Sequence, residues 1–129
     1  MSQGKKVLIA EDDFFTRIVM GEIVNALECD AQIVASGEEC YSVLEENPDL
    51  FGLVLVDIHM PEMSGVDTTR KIRESAIKQL QDIPIYAVTG DQKYHEQSVV
   101  AACGMNGFFI KPVTAVELNS LLYKYCKTA

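Results

Sequence analysis

Apolar residues gather in five short runs, residues 7–10 (VLIA), 31–35 (AQIVA), 53–56 (LVLV), 85–88 (IYAV) and 108–110 (FFI), each of strand length and rich in Val, Ile and Phe. The runs are continuous rather than alternating, which is how a strand reads when both faces of its sheet are covered. Between them the spacing turns helical. Ile18, Ile23, Ala26 and Leu27 share one side of a segment over about residues 15–28, and Cys40, Val43 and Leu44 do so after Ser36. Ser36 with Glu39, Ser64 with Asp67, and Thr114 with Glu117 have the spacing of capping boxes, which places helix starts there. A fourth helix is expected over about 92–102, stopped at Cys103-Gly104 by a left-handed glycine, and a fifth over 115–125. The result is β-α repeated five times. That order predicts an α/β three-layer sandwich, with a five-stranded parallel sheet of order 2-1-3-4-5 and five helices. Residues 75–82 read as the longest connection.

Composition narrows the function classes. A chain of 129 residues with 48% hydrophobic residues fits one domain, expected over 1–129 with its core over about 5–126. No apolar run is long enough to cross a bilayer, and the start MSQGKKVLIAEDD lacks the apolar stretch of a signal peptide, so no membrane insertion and a cytoplasmic setting are expected. Cys29, Cys40, Cys103 and Cys126 are scattered with no paired spacing, which reads as free thiols rather than zinc ligands or disulfides. A net charge of −8 speaks against direct nucleic-acid binding and favours cations and basic partners.

The chemistry lies in the residues just past the end of each strand. In an open parallel sheet, ligands collect at the carboxyl ends of the strands near the topological switch point. The first run ends at Glu11-Asp12-Asp13, the third at Asp57, the fourth at Thr89-Gly90 and the fifth at Lys111-Pro112, while the second, peripheral in this order, ends only in the helix cap Ser36. Two carboxylates about 4 Å apart repel by about 4 kcal/mol at an effective dielectric near 20, so a shared acidic rim calls for a cation. Mg²⁺ suits one or two carboxylates plus water and phosphate oxygens, and Mn²⁺ can substitute. Lys111 adds a compact positive charge and Thr89 a hydroxyl. A carboxylate held between a metal and an ammonium can attack phosphorus in line, giving an aspartyl phosphate.

The pieces VLIAEDDFFTRIV, LVLVDIHMPEMSG, IPIYAVTG and GFFIKPV, in that order and spacing, resemble the receiver domains of two-component response regulators and hybrid histidine kinases over about residues 5–126. The resemblance implies a flavodoxin-like fold in which Asp57 takes phosphate from a phosphohistidine, Lys111 pairs with the phosphoryl group and Thr89 is the switch hydroxyl. It also implies a cis Lys111-Pro112 bond. With three acids in a row, the family pattern E-D-x-x-x-x-R, matched by Glu11, Asp12 and Arg17, implies the register: Asp12 as the direct metal ligand, Glu11 acting mostly through water, and Asp13 as a loop acid that could cap the first helix. A third metal ligand would be the backbone carbonyl of His59. Phe108 takes the place of the aromatic that turns inward as the threonine moves, and without a tyrosine hydroxyl it signals by packing alone.

The expected partners are a histidine kinase or histidine phosphotransfer protein as phosphodonor, and a downstream protein on the face of the fourth helix, fifth strand and fifth helix, with Tyr94, Tyr123 and Tyr125 as candidate contacts. Duller readings stand beside these: Asp57 as a turn-starting acid, Phe108 as core, His59 and His95 as exposed side chains. Two other classes remain. A phosphatase using the same intermediate would carry a second aspartate where His59 stands, and three acids in the first loop would repel a flavin phosphate. The favoured reading is a switch, not a turnover enzyme.

Overall fold

The structure, a computed structural model, describes residues 4–127; Met1–Gln3 of the expected cytoplasmic start, and the last two residues of the expected 1–129 domain, lie outside them. Five strands, β1 (Lys6–Ala10), β2 (Ala31–Val34), β3 (Phe51–Asp57), β4 (Ile85–Thr89) and β5 (Gly107–Ile110), form one parallel sheet in the order β2-β1-β3-β4-β5. Helices α1 (Phe14–Ala26), α2 (Gly37–Glu46), α3 (Gly65–Arg73), α4 (Lys78–Asp82), α5 (Gln97–Ala102) and α6 (Ala115–Tyr125) cover both faces. The class is the expected one.

Strand β3 is central, and all seven of its residues are buried. Its side chains divide by the two-residue period of a strand. Val54 and Val56 join Leu8, Leu44, Ile72 and Val100 on the face toward α2, α3 and α5. Leu53 and Leu55 join Val7, Val24, Leu118 and Leu122 on the face toward α1 and α6. Two sealed cores therefore hold the strand ends at fixed positions, which is what a convergent site requires.

Helix starts follow local chemistry. Thr114 and Glu117 form a complete capping box on α6. Ser36 accepts from Glu39 N, but Glu39 reaches back to Ala35 N at 3.1 Å instead of to Ser36 N. Ser64 caps Asp67 N, while the Asp67 carboxylate turns to Arg70. Gly104, at φ +91°, supplies the expected left-handed stop after α5.

Two expectations on helices need correction. The stretch 75–82, expected as a connection, contains α4, so there are six helices rather than five. One buried residue, Leu80, anchors it, and Gln81 Nε2 closes it onto Ser75 O at 2.9 Å. The helix expected over 92–102 is instead a 3₁₀ turn, Gln92–Tyr94, followed by the short α5. The break falls at His95, whose ring is drawn back to the end of β4.

Candidate functional site: an acidic rim closed by one lysine

Strand β1 delivers Glu11, Asp12 and Asp13 as it leaves the sheet. Asp13 caps α1, accepting from Thr16 N at 2.8 Å and Thr16 Oγ1 at 2.7 Å, and those bonds hold its carboxyl below the usual range. Arg17, from the first turns of α1, donates to the carbonyls of Glu11 (3.0 Å) and Asp12 (2.8 Å). The guanidinium thus fixes the backbone of the acidic turn and leaves the Glu11 and Asp12 carboxylates to other work.

Asp57 is the last residue of β3. Gly65, at the start of α3, packs so closely behind it that a Cβ there would lie 2.3 Å from Asp57 O. Lys111 arrives from β5, through a cis bond to Pro112, and places Nζ 2.8 Å from Glu11 Oε1 and 3.2 Å from Asp57 Oδ2. Glu11 and Asp57 are only 3% and 7% exposed, so these are screened little by water. Burial pushes the Glu11 carboxyl above its ordinary range, against the opposing hydrogen bond from Lys111. Burial would lower Lys111, but the hydrogen bond to Glu11 and the charge of Asp57 outweigh it and raise the ammonium.

One ammonium pairs with two of three clustered carboxylates. Oxygens of Glu11, Asp12 and Asp57 lie within 4.8 Å of one another, and the exposed Asp12 carboxylate accepts no hydrogen bond among the described residues. An all-oxygen set with excess negative charge and one uncommitted carboxylate fits a hard divalent cation. Both oxygens of Glu11 are engaged, Oε1 with Lys111 and Oε2 with Asp13 N at 3.1 Å, and so are both of Asp57, which leaves Asp12 the free member of the three.

Thr89, the last residue of β4, is 1% exposed, and its Oγ1 accepts from Asp91 N at 3.0 Å. Its hydroxyl proton remains available to donate. Asp91 is a residue that the sequence did not single out. Its Oδ2 lies 2.6 Å from His59 Nε2, and this contact, with the Lys93 N–H on Oδ1, holds the carboxyl below the usual range. His59 N in turn donates to Asp57 Oδ1 at 3.2 Å. Asp57 and Thr89 are therefore linked through a His59–Asp91 bridge across the mouth of the site.

Neither histidine is a bare surface side chain. His59 is exposed, yet it pairs with Asp91 and meets the Tyr94 ring edge-on at 6.1 Å. His95 places Nε2 2.9 Å from Thr89 O and stacks on Phe108 at 5.8 Å and 11° between planes. The carbonyl can only accept, so Nε2 carries the hydrogen. Phe108, half-buried against the α2–α5 core, is thus in contact with the Thr89 loop through one ring. A lone histidine has no sequence period, and only its tertiary neighbours reveal this role.

The sequence matches the response regulator receiver domain family over residues 7–123. It is 31% identical over 127 residues to the transcription factor SKN7 of Saccharomyces cerevisiae, covering 98% of this chain and 20% of that protein. It is 28% identical over 124 residues to hybrid signal transduction histidine kinase L of Dictyostelium discoideum, covering 95% of this chain but 7% of that one. The peroxide stress-activated histidine kinase mak3 of Schizosaccharomyces pombe is likewise matched over 95% of this chain and 5% of its own length. Among solved structures, the receiver domain of sensor histidine kinase PA1611 from Pseudomonas aeruginosa, crystallised with a magnesium ion coordinated in its active site cleft, superposes with TM-score 0.82 at 24% identity, over 95% of this chain and 97% of that one.

Proposed function

Because the chain belongs to the family of response regulator receiver domains, we propose that Asp57 accepts a phosphoryl group from a phosphohistidine and that the added charge switches the Thr89–Phe108 region to control a partner. The observation that carries this reading is the placement of Lys111 Nζ between Glu11 and Asp57, 2.8 and 3.2 Å away, on a rim that already holds three carboxylates.

Asp57 attacks phosphorus in line. A P–O bond forms as the P–N bond of the donor breaks, and the departing imidazole nitrogen takes a proton from solvent. Lys111 is placed to follow the phosphoryl oxygens as they gather charge, exchanging its bond to Asp57 for one to the new group. Asp12, Asp57 and the His59 carbonyl would hold Mg²⁺, with Glu11 acting through water and Mn²⁺ able to replace it. The ion supplies neutralisation of the acidic rim and of the incoming oxygens. Arg17 keeps the Glu11–Asp12 turn in place while this happens.

The switch begins with Thr89. Its free hydroxyl proton turns to a phosphoryl oxygen, which strains the Asp91 N–H bond it now accepts. His95 moves with the Thr89 carbonyl and so uncovers or repacks Phe108. The change reaches the face of α5, β5 and α6, where Ile110, Val116 and Tyr123 are exposed at 51%, 82% and 62%. Of the three tyrosines named from sequence, Tyr123 is the most exposed, although the Lys127 ammonium lies 4.5 Å from its ring centroid; Tyr94 packs on His59 and Tyr125 lies beside Tyr86.

The donor is a histidine kinase or histidine phosphotransfer protein. Phe14, Phe15, Ile18 and Val19 stand exposed on α1, beside a groove of about 330 Å³ that runs to Lys111, Pro112 and Val113. An apolar apron next to the reactive carboxylate suits a protein donor rather than a small ester. No helix among the described residues is long and apolar enough to cross a membrane, and we place the reaction in the cytoplasm beside such donors. The domain turns over only its own phosphate and is a switch, not an enzyme acting on a separate substrate. Phosphoramidate, a small donor with a P–N bond, tests this: with Mg²⁺ one phosphoryl group per chain is expected, and none with a chelator. Rapid multiple turnover of a generic phosphate ester would instead make the protein a hydrolase.

A further inference from the structure

The four cysteines are far apart in sequence, yet the fold brings two of them together at the amino end of the sheet, opposite the acidic rim. Cys29 lies in the turn between α1 and β2, and Cys126 ends α6. Both pack against the start of β1. Cys126 Sγ is 3.7 Å from Lys6 O, and Lys5 N donates to Cys126 O at 2.7 Å. On the other side Val7 N donates to Asp30 O, and Cys29 Sγ is 3.8 Å from that same carbonyl. The two thiols thus flank the same stretch of β1, Lys6 and Val7, one on either side.

They share a recess of about 270 Å³ lined also by Lys5, Glu28, Asp30 and Lys127. Half-buried Cys29 is the accessible member, and Cys126, at 3% exposure, lies behind it. Lys127 donates its Nζ to Leu27 O, which keeps a positive charge beside Cys29. Cys40, by contrast, is sealed in the opposite core, and burial alone pushes its thiol up to about 12.

We propose that Cys29 and Cys126 form a redox-responsive pair, which a hydroperoxide closes into an intramolecular disulfide tying the end of α6 to the start of β2. The inference stands apart from phosphoryl transfer, and neither depends on the other. Cys29, as thiolate, attacks the O–O bond of hydrogen peroxide: its sulfur loses two electrons and becomes a sulfenic acid, and the peroxide leaves as water. Cys126 then attacks the Cys29 sulfur, its proton leaving with the displaced hydroxide as a second water. Two thiols and one peroxide give one disulfide and two waters. Burial raises both thiols, Cys126 up to about 12, so the fold selects the partner without hastening the attack.

The test treats the reduced full chain with hydrogen peroxide at mildly alkaline pH, blocks remaining thiols, and reads intact mass and linked peptides. The expected product is a monomer lighter by two hydrogen atoms, with the Cys29 and Cys126 peptides joined and released by dithiothreitol. Cys29→Ser abolishes the link and Cys103→Ser leaves it. The same treatment in urea spreads linkage over all four cysteines. The oxidised chain melts roughly 5–15 °C above the reduced one, because the bridge closes a long loop of the unfolded chain. Covalent dimers, over-oxidised Cys29 beside free Cys126, or equal linkage to Cys40 or Cys103 in the folded protein would overturn the proposal.

Discussion

At the carboxyl end of the sheet, Glu11, Asp12 and Asp57 crowd together, and a single ammonium pairs with Glu11 and Asp57. At the amino end the chain closes on itself through main-chain bonds, Lys5 N to Cys126 O at 2.7 Å, Lys6 N to Leu50 O at 3.0 Å and Val7 N to Asp30 O at 3.0 Å. There Gly52 leaves room for the Tyr125 carbonyl, and Tyr86 stacks on Phe109. Both ends satisfy their buried polar atoms, for no buried side-chain nitrogen or oxygen among the described residues lacks a partner. They differ in what the satisfaction leaves over. The floor is closed by neutral main-chain bonds, and the rim retains negative charge and an uncommitted Asp12. The lesson is that stability and chemistry are carried by opposite ends of the same strands, so mutations should separate them.

The largest separation is expected from Lys111→Met. Phosphoryl uptake should fall by about 10²-fold or more, measured as the rate of mass gain with a small phosphodonor, because a charge that tracks the transferring group is lost. The reverse case is Gly52→Ala, whose Cβ would lie 2.0 Å from Tyr125 O. It should lower unfolding free energy by about 2–4 kcal/mol in urea titrations while leaving uptake per folded molecule unchanged. Equal loss of uptake in Gly52→Ala would erase the contrast between the two ends.

Next in size is the response to metal. Mg²⁺ at about a hundred times its dissociation constant should raise wild-type stability by about 2.7 kcal/mol, since it binds the folded rim and not the unfolded chain. Asp12→Asn should lose most of that increment, and Gly52→Ala should keep it in full, both read from thermal melts with and without Mg²⁺. The smallest effect belongs to Thr114→Ala. It removes the cap of α6, whose hydroxyl bonds to Glu117 rather than to the rim carboxylates, and should cost about 1 kcal/mol with no change in uptake.

The sheet was legible because its information is periodic and local. Continuous apolar runs marked all five strands, and the polar residues after four of them marked the candidate rim, including Asp57, Thr89 and Lys111, while the second run led only to the cap Ser36. What escaped was short or tertiary. Helix α4 has five residues and one buried side chain, too few to show a period. The break before α5 depends on the His95 ring meeting Thr89 O, and the His59–Asp91 bridge joins two loops. Cys29 and Cys126 are far apart along the chain, and the pairing of β1 with β2 together with the bond of Lys5 N to Cys126 O brings them to one corner. Spacing rules see neighbours along a helix or strand, so contacts made between loops leave no trace in them.

The central claim is that Asp57 is the acid that takes the phosphoryl group. Intact-mass measurement after incubation with acetyl phosphate and Mg²⁺ tests it most directly. The wild-type chain should gain one phosphate, and Asp57→Asn, folded and otherwise equal, should gain none; an unchanged wild-type mass, or a phosphate that persists in Asp57→Asn, would contradict the account.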